Sequence, residues 1–265
     1  MDNSIECDKM IVIVDNKDSR IKYLIEELSK EYQLEIIDDS IKSIRSGGIL
    51  FIPIQGIDDR GFIKKTEYKI DDIVDNINPR MLLVPKISDY YKKFGIECVE
   101  YLTLDIEIIN SIYTVEGALC LISSNTTKSL SDMEVLLTGY GKLGQTLADY
   151  LKLFGSNVTI YSNCEKELLT AKIRGFKTIR SLGYIDTMNY DTIINTVPVN
   201  IFSLEVLKRT PQTLYLELAS YPYGVDISKA KNFIKTYLGA GLPGKFTPES
   251  AGKLIGRKIL GILND

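Results

Sequence analysis

The feature that most constrains the fold is a glycine-rich turn in "LLTGYGKLGQTLADY", which runs from Leu136 to Tyr150. Gly139, Gly141 and Gly144, spaced G-x-G-x-x-G, follow an apolar run and open a segment with apolar residues at helical spacing. A strand, a tight turn and a helix in this order are typical of a βαβ unit that binds a dinucleotide diphosphate at the helix N-terminus. The turn therefore predicts a parallel α/β sheet with a dinucleotide site.

Short apolar runs alternate with amphipathic segments on both sides of this turn, which predicts two parallel α/β halves and a two-lobed architecture. The strand candidates lie at 10–14, 34–38, 47–54, 81–85, 97–102, 133–139, 157–162, 191–198, 213–219 and 236–243. The helix candidates lie at 20–32, 105–125, 142–154, 165–174 and 247–263, with a loop and a short helix over 64–76. In the helix over 142–154 we expect four side chains to point inward, those of Leu143, Leu147, Leu151 and Phe154.

These patterns divide the chain into four parts. We expect an N-terminal α/β domain that binds the substrate over 1–112, and a connecting helix and linker over 113–130. A doubly wound dinucleotide-binding domain of the Rossmann type should follow over 131–246. The C-terminal helix over 247–265, capped by Thr247 and Pro248, is expected to return to the first domain.

Composition excludes several classes of function. The chain has 265 residues and no histidine, so Ser-His-Asp, Cys-His and histidine-based metal chemistry are ruled out. Four separated cysteines give no C-x-x-C pair, and we predict no metal site. The net charge of -3 argues against a nucleic-acid partner. No apolar run approaches a membrane span and the N-terminus lacks a signal-peptide layout, so we expect a cytoplasmic protein without a membrane partner.

The predicted dinucleotide site takes its residues from several strand ends. The carboxylate expected about 20 positions after the glycines is missing, because Ser162 and Asn163 end the second strand. With Lys166 nearby they would tolerate a 2′-phosphate, so we expect NADP as the cofactor, with NAD left open because Glu165 could reach the ribose. The full set of predicted cofactor-binding residues is Gly139, Tyr140, Gly141, Lys142, Leu143, Gly144, Ser162, Asn163, Lys166, Asn195, Thr196, Val197, Pro198 and Gly241.

A series of motifs resembles a known family. In chain order they are "DSR", "FIPIQG", "NSIYTVEGA", "LLTGYGKLGQT", "NTVP", "LASYP" and "GLPGKFTPESAG", and together they are similar to the A subunit of dipicolinate synthase from endospore-forming bacteria. The resemblance implies a flavodoxin-like N-terminal lobe followed by a Rossmann lobe. It also implies NAD(P)-dependent oxidation of a dihydro- or hydroxy-tetrahydrodipicolinate precursor to dipicolinate during sporulation. The partner that it implies is the flavoprotein-like B subunit of the synthase, and a homo-oligomer stays open.

A dicarboxylate substrate of this kind calls for cationic and hydroxyl donors. Forming an aromatic ring supplies driving force, so orientation should matter more than a strong base, which fits a chain without histidine. We expect substrate binding by Arg20, Ser88, Ser111, Thr114 and Ser220, with Ser111 and Thr114 at the start of a helix. The candidates for catalysis are Lys86, Tyr221 and Glu116, the last in the first turn of that same helix.

Two alternatives remain at the level of sequence. One is another NAD(P)-dependent oxidoreductase of the same architecture, such as a shikimate-dehydrogenase-like enzyme with Lys86 and a nearby acid as a catalytic pair. The other is a regulatory subunit that binds NADP without turning it over. Turnover of dihydrodipicolinate would separate the synthase from the regulatory subunit.

Overall fold

The computed structural model describes residues 9–37, 47–183 and 190–264. The chain forms two compact units, one of Met1–Glu107 with Thr247–Asp265 and the other of Ile108–Phe246. The domain boundaries expected at 112 and 130 stay predictions. The α/β class and the two parallel sheets agree with the sequence analysis.

The first unit has a five-stranded parallel sheet in the order β2-β1-β3-β4-β5, which is the flavodoxin-like order. Its strands are β1 (Met10–Val14), β2 (Gln33–Ile37), β3 (Ile49–Phe51), β4 (Met81–Val84) and β5 (Glu97–Glu100). Its helices are α1 (Ser19–Leu28), α2 (Ile70–Ile77), α3 (Asp89–Lys92) and the C-terminal α10 (Pro248–Asn264).

Alternation along β1 builds the core of this unit. Ile11 and Ile13 pack on one face with residues of α1 and α10, while Val12 and Val14 pack on the other face with residues of α2. A parallel strand that is buried on both faces is a continuous apolar run, as "MIVIV" is. The C-terminal helix lies close to α1, because a Cβ added at Gly252 would collide with the carbonyl oxygen of Arg20. The predicted return of this helix is confirmed.

The second unit has a six-stranded parallel sheet in the order β11-β10-β9-β6-β7-β8. Counted from β6, this is the doubly wound order 3-2-1-4-5-6 of dinucleotide-binding folds. The strands are β6 (Glu134–Thr138), β7 (Asn157–Tyr161), β8 (Lys177–Ile179), β9 (Thr192–Asn195), β10 (Leu214–Glu217) and β11 (Lys235–Leu238). The helices are α5 (Lys142–Leu153), α6 (Glu165–Ile173), α7 (Leu204–Lys208), α8 (Ile227–Ala230) and α9 (Leu242–Phe246), with a 3-10 turn at Leu130–Asp132.

One inward-facing residue was wrongly predicted in this unit. Leu147 and Leu151 are fully buried and Leu143 is half-buried, but the side chain of Phe154 is 52% exposed. Helix α5 ends at Leu153, and Phe154 is the residue that caps it. Apolar spacing predicts burial only where another element covers the side chain, and at this end of the helix Leu153 is exposed as well.

Helix α4 (Leu104–Asn125) crosses the boundary between the two units in sequence. It contradicts the expectation that no apolar run has membrane-spanning length, because its 22 residues include an 18-residue window of mean hydropathy 1.3. Length and composition alone are weak evidence for a span. The face predicted to be buried, Val115, Ala118, Leu119 and Ile122, packs in the core of the second unit, as the core helix of a globular protein does.

Candidate functional site

A cavity of about 480 Å³ lies at the carboxyl ends of three strands of the second unit. Its lining comes from the glycine turn after β6, from 161–164 and Glu167 around the end of β7, and from 196–198 and Ile201 after β9. Strands β7, β6 and β9 are neighbours in the sheet. The strand that follows β6 in the chain is added at one edge of this pair of strands, β6 and β9, and the strand that follows β9 is added at the other edge. The crevice at such a switch point is where doubly wound sheets bind ligands.

The structure explains in different ways why glycine occurs at each of the three positions of the turn. Gly139 has a φ of +87°, and a Cβ there would lie 2.5 Å from Oγ1 of Thr196. A Cβ at Gly144 would collide with the carbonyl oxygen of Gly139, so helix α5 can approach the turn only with glycine there. At Gly141 a Cβ would meet nothing within 4 Å, because this residue faces the cavity. Packing therefore explains Gly139 and Gly144, and open space for a ligand explains Gly141.

The N-terminus of α5 faces the same cavity. The first backbone hydrogen bond of the helix runs from the amide of Gln145 to the carbonyl oxygen of Gly141, at 2.9 Å. The amides of Leu143 and Gly144 precede that bond, and such amides are available to a bound anion at the positive end of the helix dipole. The glycine turn, the helix end and the open space at Gly141 together fit the diphosphate of a dinucleotide.

Glu167 is a residue of this site that the sequence analysis missed. Its carboxylate reaches back from the first turn of α6, and Oε2 accepts hydrogen bonds from the amide of Tyr140 at 3.0 Å and from Oγ of Ser162 at 2.6 Å. The same Oγ accepts the amide of Cys164 at 3.0 Å. A carboxylate thus lies between the glycine turn and the end of β7, where the sequence showed only Ser162 and Asn163.

A buried polar network fixes the turn after β9. Asn195 is fully buried, and its Nδ2 donates to Oε1 of Glu217 at 2.7 Å while its Oδ1 accepts from Oγ1 of Thr138 at 2.6 Å. Glu217 also accepts from the hydroxyl of Tyr215 and from the amides of Ala219 and Gly224, at 2.8–3.0 Å. Burial raises the pKa of the Glu217 carboxyl, and these hydrogen bonds to its ionised form limit the rise.

The structure brings most of the predicted cofactor residues together. Ten of them line the cavity: Gly139, Gly141, Lys142, Leu143, Gly144, Ser162, Asn163, Thr196, Val197 and Pro198. The other four do not line it. Tyr140 has a buried ring that packs on Phe176, Asn195 is committed to its network, Lys166 is exposed on α6, and Gly241 lies in the turn before α9.

The expectation that Ser111, Thr114 and Glu116 begin a helix is wrong. Helix α4 begins at Leu104, so all three lie in its interior, where the helical ladder occupies the backbone amides. The hydroxyl of Ser111 donates to the carbonyl oxygen of Ile108 at 2.7 Å, and that of Thr114 donates to the carbonyl oxygen of Asn110 at 2.9 Å. These side chains therefore have no helix N-terminus behind them.

Arg20 is buried and paired within the protein. It lies in the first turn of α1 and is only 6% exposed. Its Nε and Nη2 both donate to the carboxylate of Asp18, each at 2.8 Å, and Asp18 also accepts from Nε2 of Gln55. The bidentate pairing that a substrate carboxylate would need is used within the protein.

The remaining substrate and catalytic candidates lie on the surface. Lys86 and Ser88 are exposed after β4 in the first unit, and Ser220 and Tyr221 are exposed after β10 in the second. Among the described residues Lys86 forms no ion pair, so the alternative of a Lys-Asp catalytic pair has no observed acidic partner. The assignment of these four residues stays a prediction.

The strand order of the second sheet and the glycine-turn cavity define the class: the second unit has the dinucleotide-binding fold of Rossmann-type dehydrogenases. More particularly, the chain is similar to the A subunit of dipicolinate synthase from Bacillus subtilis, with 35% identity over 164 residues. That match covers 60% of this chain and 54% of the relative, so it spans about half the length of the relative. The resemblance seen in the motifs is confirmed. No protein-family model matches the chain.

Solved structures extend the likeness of fold to nearly the whole chain. The crystal structure of the dipicolinate synthase A subunit from Bacillus halodurans matches 97% of this chain and 98% of its own, with a TM-score of 0.78 and 22% identity. That of the Bacillus subtilis protein covers 97% of both chains, with a TM-score of 0.77 and 24% identity. D-lactate dehydrogenase from Escherichia coli matches 96% of both chains, with a TM-score of 0.63 and 13% identity. At these identities the structures show the fold.

Proposed function

We propose that this chain is an oxidoreductase that binds a pyridine dinucleotide in the cavity of its second unit. The observation that carries the proposal is Gly141, which faces open space at the N-terminus of α5 although packing does not require a glycine there. A bound dinucleotide would supply hydride transfer. The residues of the chain would hold its diphosphate through the helix N-terminus and shape the cavity with the turn of 196–198.

The likeness to dipicolinate synthase supports a more specific reaction. We propose that the substrate is a dihydro- or hydroxy-tetrahydrodipicolinate precursor and that the product is dipicolinate. Oxidation of the dihydro compound removes a hydride and a proton and leaves an aromatic ring, so the protein needs to orient a dicarboxylate more than to supply a strong base. A chain without histidine can meet that demand.

Partner and compartment belong to the same proposal. The name of the relative marks it as one component of a synthase with several subunits, which supports a partner for this chain. We propose that the partner is the B subunit of dipicolinate synthase, in the cytoplasm of a sporulating cell.

The choice between NAD and NADP is open within the proposal. The sequence favoured NADP through Ser162, Asn163 and Lys166, but Lys166 does not line the cavity.

Turnover of a defined substrate tests this function. Purified protein is given NAD+ or NADP+ with enzymatically generated dihydrodipicolinate, alone and together with the B subunit. We expect the absorbance of the reduced dinucleotide to grow together with released dipicolinate. Dinucleotide binding without turnover, even with the B subunit present, would contradict the synthase and support a regulatory role.

One observation favours that second function. The guanidinium of Arg20, the one cation among the predicted substrate-binding residues, is already paired with Asp18. A regulatory protein would need the dinucleotide cavity but no substrate clamp. The turnover assay with the B subunit present separates the two functions directly.

A further inference from the structure

Glu167 is the acidic side chain among the described residues that line the dinucleotide cavity. It belongs to the first turn of α6, six residues beyond the end of β7 at Tyr161. Its Oε2 is fixed by the amide of Tyr140 and the hydroxyl of Ser162. Among the described residues Oε1 accepts no hydrogen bond, so this oxygen can accept one from a ligand.

The position of this carboxylate has a chemical consequence for the adenosine end of a dinucleotide. In doubly wound sheets the ribose hydroxyls lie beside the end of the second strand, which here is β7. A carboxylate there accepts a hydrogen bond from the 2′-hydroxyl of NAD, and it repels the 2′-phosphate of NADP. In this chain the carboxylate comes from the following helix rather than from the strand end.

The neighbouring charges do not offset Glu167. Lys142 lines the cavity, but it begins α5 and so belongs to the diphosphate end of the site. Lys166 is exposed outside the lining, and Arg180 pairs with Glu165 on the surface. The described residues at the end of β7 therefore present one carboxylate, held by two donors, and no cation in the lining to receive a 2′-phosphate.

We infer that Glu167 selects NAD over NADP by accepting the 2′-hydroxyl of the adenosine ribose while Ser162 and the amide of Tyr140 hold it in place. This inference rests on the proposed function, because it presumes that a dinucleotide binds in this cavity. It replaces the NADP preference drawn from the sequence. Glu167 acts here on cofactor choice and takes no part in proton transfer.

Calorimetric titration with NAD+ and with NADP+ tests the inference without any turnover. For the native protein we expect NAD+ to bind at least about tenfold more tightly than NADP+. Glu167→Gln keeps an acceptor for Tyr140 and removes the charge, so the ratio of the two affinities should fall by about tenfold or more. The control is Glu205→Gln, which removes an equal charge from the exposed face of α7, outside the cavity lining, and the ratio should not change.

Each outcome decides one of the two proposals. Equal or tighter binding of NADP+ by the native protein, or an unchanged ratio in Glu167→Gln, would overturn the role of Glu167 and leave dinucleotide binding intact. Binding of neither dinucleotide by protein with a native circular dichroism spectrum would overturn the proposed function itself. If Glu167→Gln does not fold, Ser162→Ala removes the side-chain anchor of Glu167, and an unchanged ratio in that variant counts against the inference.

Discussion

The carboxyl edges of the two parallel sheets are used in different ways. At the edge of the second sheet, the turns after β6 and β9 and the end of β7 surround an open cavity. After β1 of the first sheet, polar side chains bind one another: Asn16 donates to Gln55 at 2.6 Å, Gln55 donates to Asp18, and Asp18 pairs with Arg20. Asn16 and Arg20 are buried, and the side chain of Asp18 is only 6% exposed.

The difference shows that topology alone does not make a ligand site. Both sheets are parallel, and both could bind a ligand at this edge. In the second sheet a glycine leaves room and Glu167 keeps one oxygen without a partner among the described residues, whereas in the first sheet the charges neutralise each other. We therefore expect substitutions at the first edge to change stability and substitutions at the second to change binding.

The largest expected effect concerns the buried ion pair. Asp18→Asn leaves the guanidinium of Arg20 buried without its counter-charge, which should lower the free energy of unfolding by about 3–5 kcal/mol. Urea unfolding at pH 7, followed by circular dichroism, measures it. Asp89→Asn removes the exposed partner of Lys92 and should leave the unfolding curve unchanged. A loss below about 1 kcal/mol at Asp18 would contradict the view of this edge as a structural element.

The next effect concerns the network beneath the cavity. The carboxylate of Glu217 accepts four hydrogen bonds. In Glu217→Gln one of its oxygens becomes an NH2 group, which cannot accept and faces other donors. The free energy of unfolding should therefore fall by about 2 kcal/mol. Urea unfolding measures the change. Glu205→Gln, an exposed partner of Lys208, is the control and should have no effect. An unchanged midpoint for Glu217→Gln would show that this network does not stabilise the second unit.

Local patterns were sufficient to predict the glycine turn and most strands. β1 was predicted at its observed bounds, because a strand buried on both faces is a continuous apolar run. β8 was missed, because Lys177–Ile179 is short and only partly buried at the edge of the sheet. The pattern of apolar residues along the chain cannot identify a short edge strand that is partly buried by pairing with a single neighbouring strand.

Residues brought together by tertiary structure were harder to predict. Glu167 was not predicted because the usual position of the acid is the end of the second strand, whereas this carboxylate reaches back from α6. Ser111 and Thr114 were placed at a helix start although the helical pattern begins at Asp105, shortly after Thr103, a residue type favoured at the N-cap. The only sequence sign of the pair between Arg20 and Asp18 is that both residues occur in "DSR". From that motif Arg20 was predicted to bind the substrate.

A smaller effect is expected at the open edge of the second sheet. Gly141→Ala places a methyl group in the cavity, which should weaken dinucleotide binding by roughly tenfold and leave the unfolding midpoint nearly unchanged. Gly261→Ala, where a Cβ also meets nothing within 4 Å, is the control for a glycine substitution outside the cavity. Calorimetry and urea unfolding on the same preparations measure both quantities. An affinity equal to that of the native protein would show that Gly141 does not face the dinucleotide.

The smallest effect is the pH dependence of the first edge. Burial alone would raise the pKa of the Asp18 carboxyl, but the hydrogen bonds and charge of Arg20 outweigh it and hold the pKa well below its usual range. A lowered folded-state pKa gives stability that is present above the unfolded-state pKa of about 3.9 and is lost as the pH falls toward the folded-state value. Between pH 7 and pH 3.5 the native protein should lose about 0.7 kcal/mol more unfolding free energy than Asp18→Asn. Equal losses in the two proteins, measured by urea unfolding at both pH values, would mean that the Asp18 carboxylate is not stabilised by Arg20.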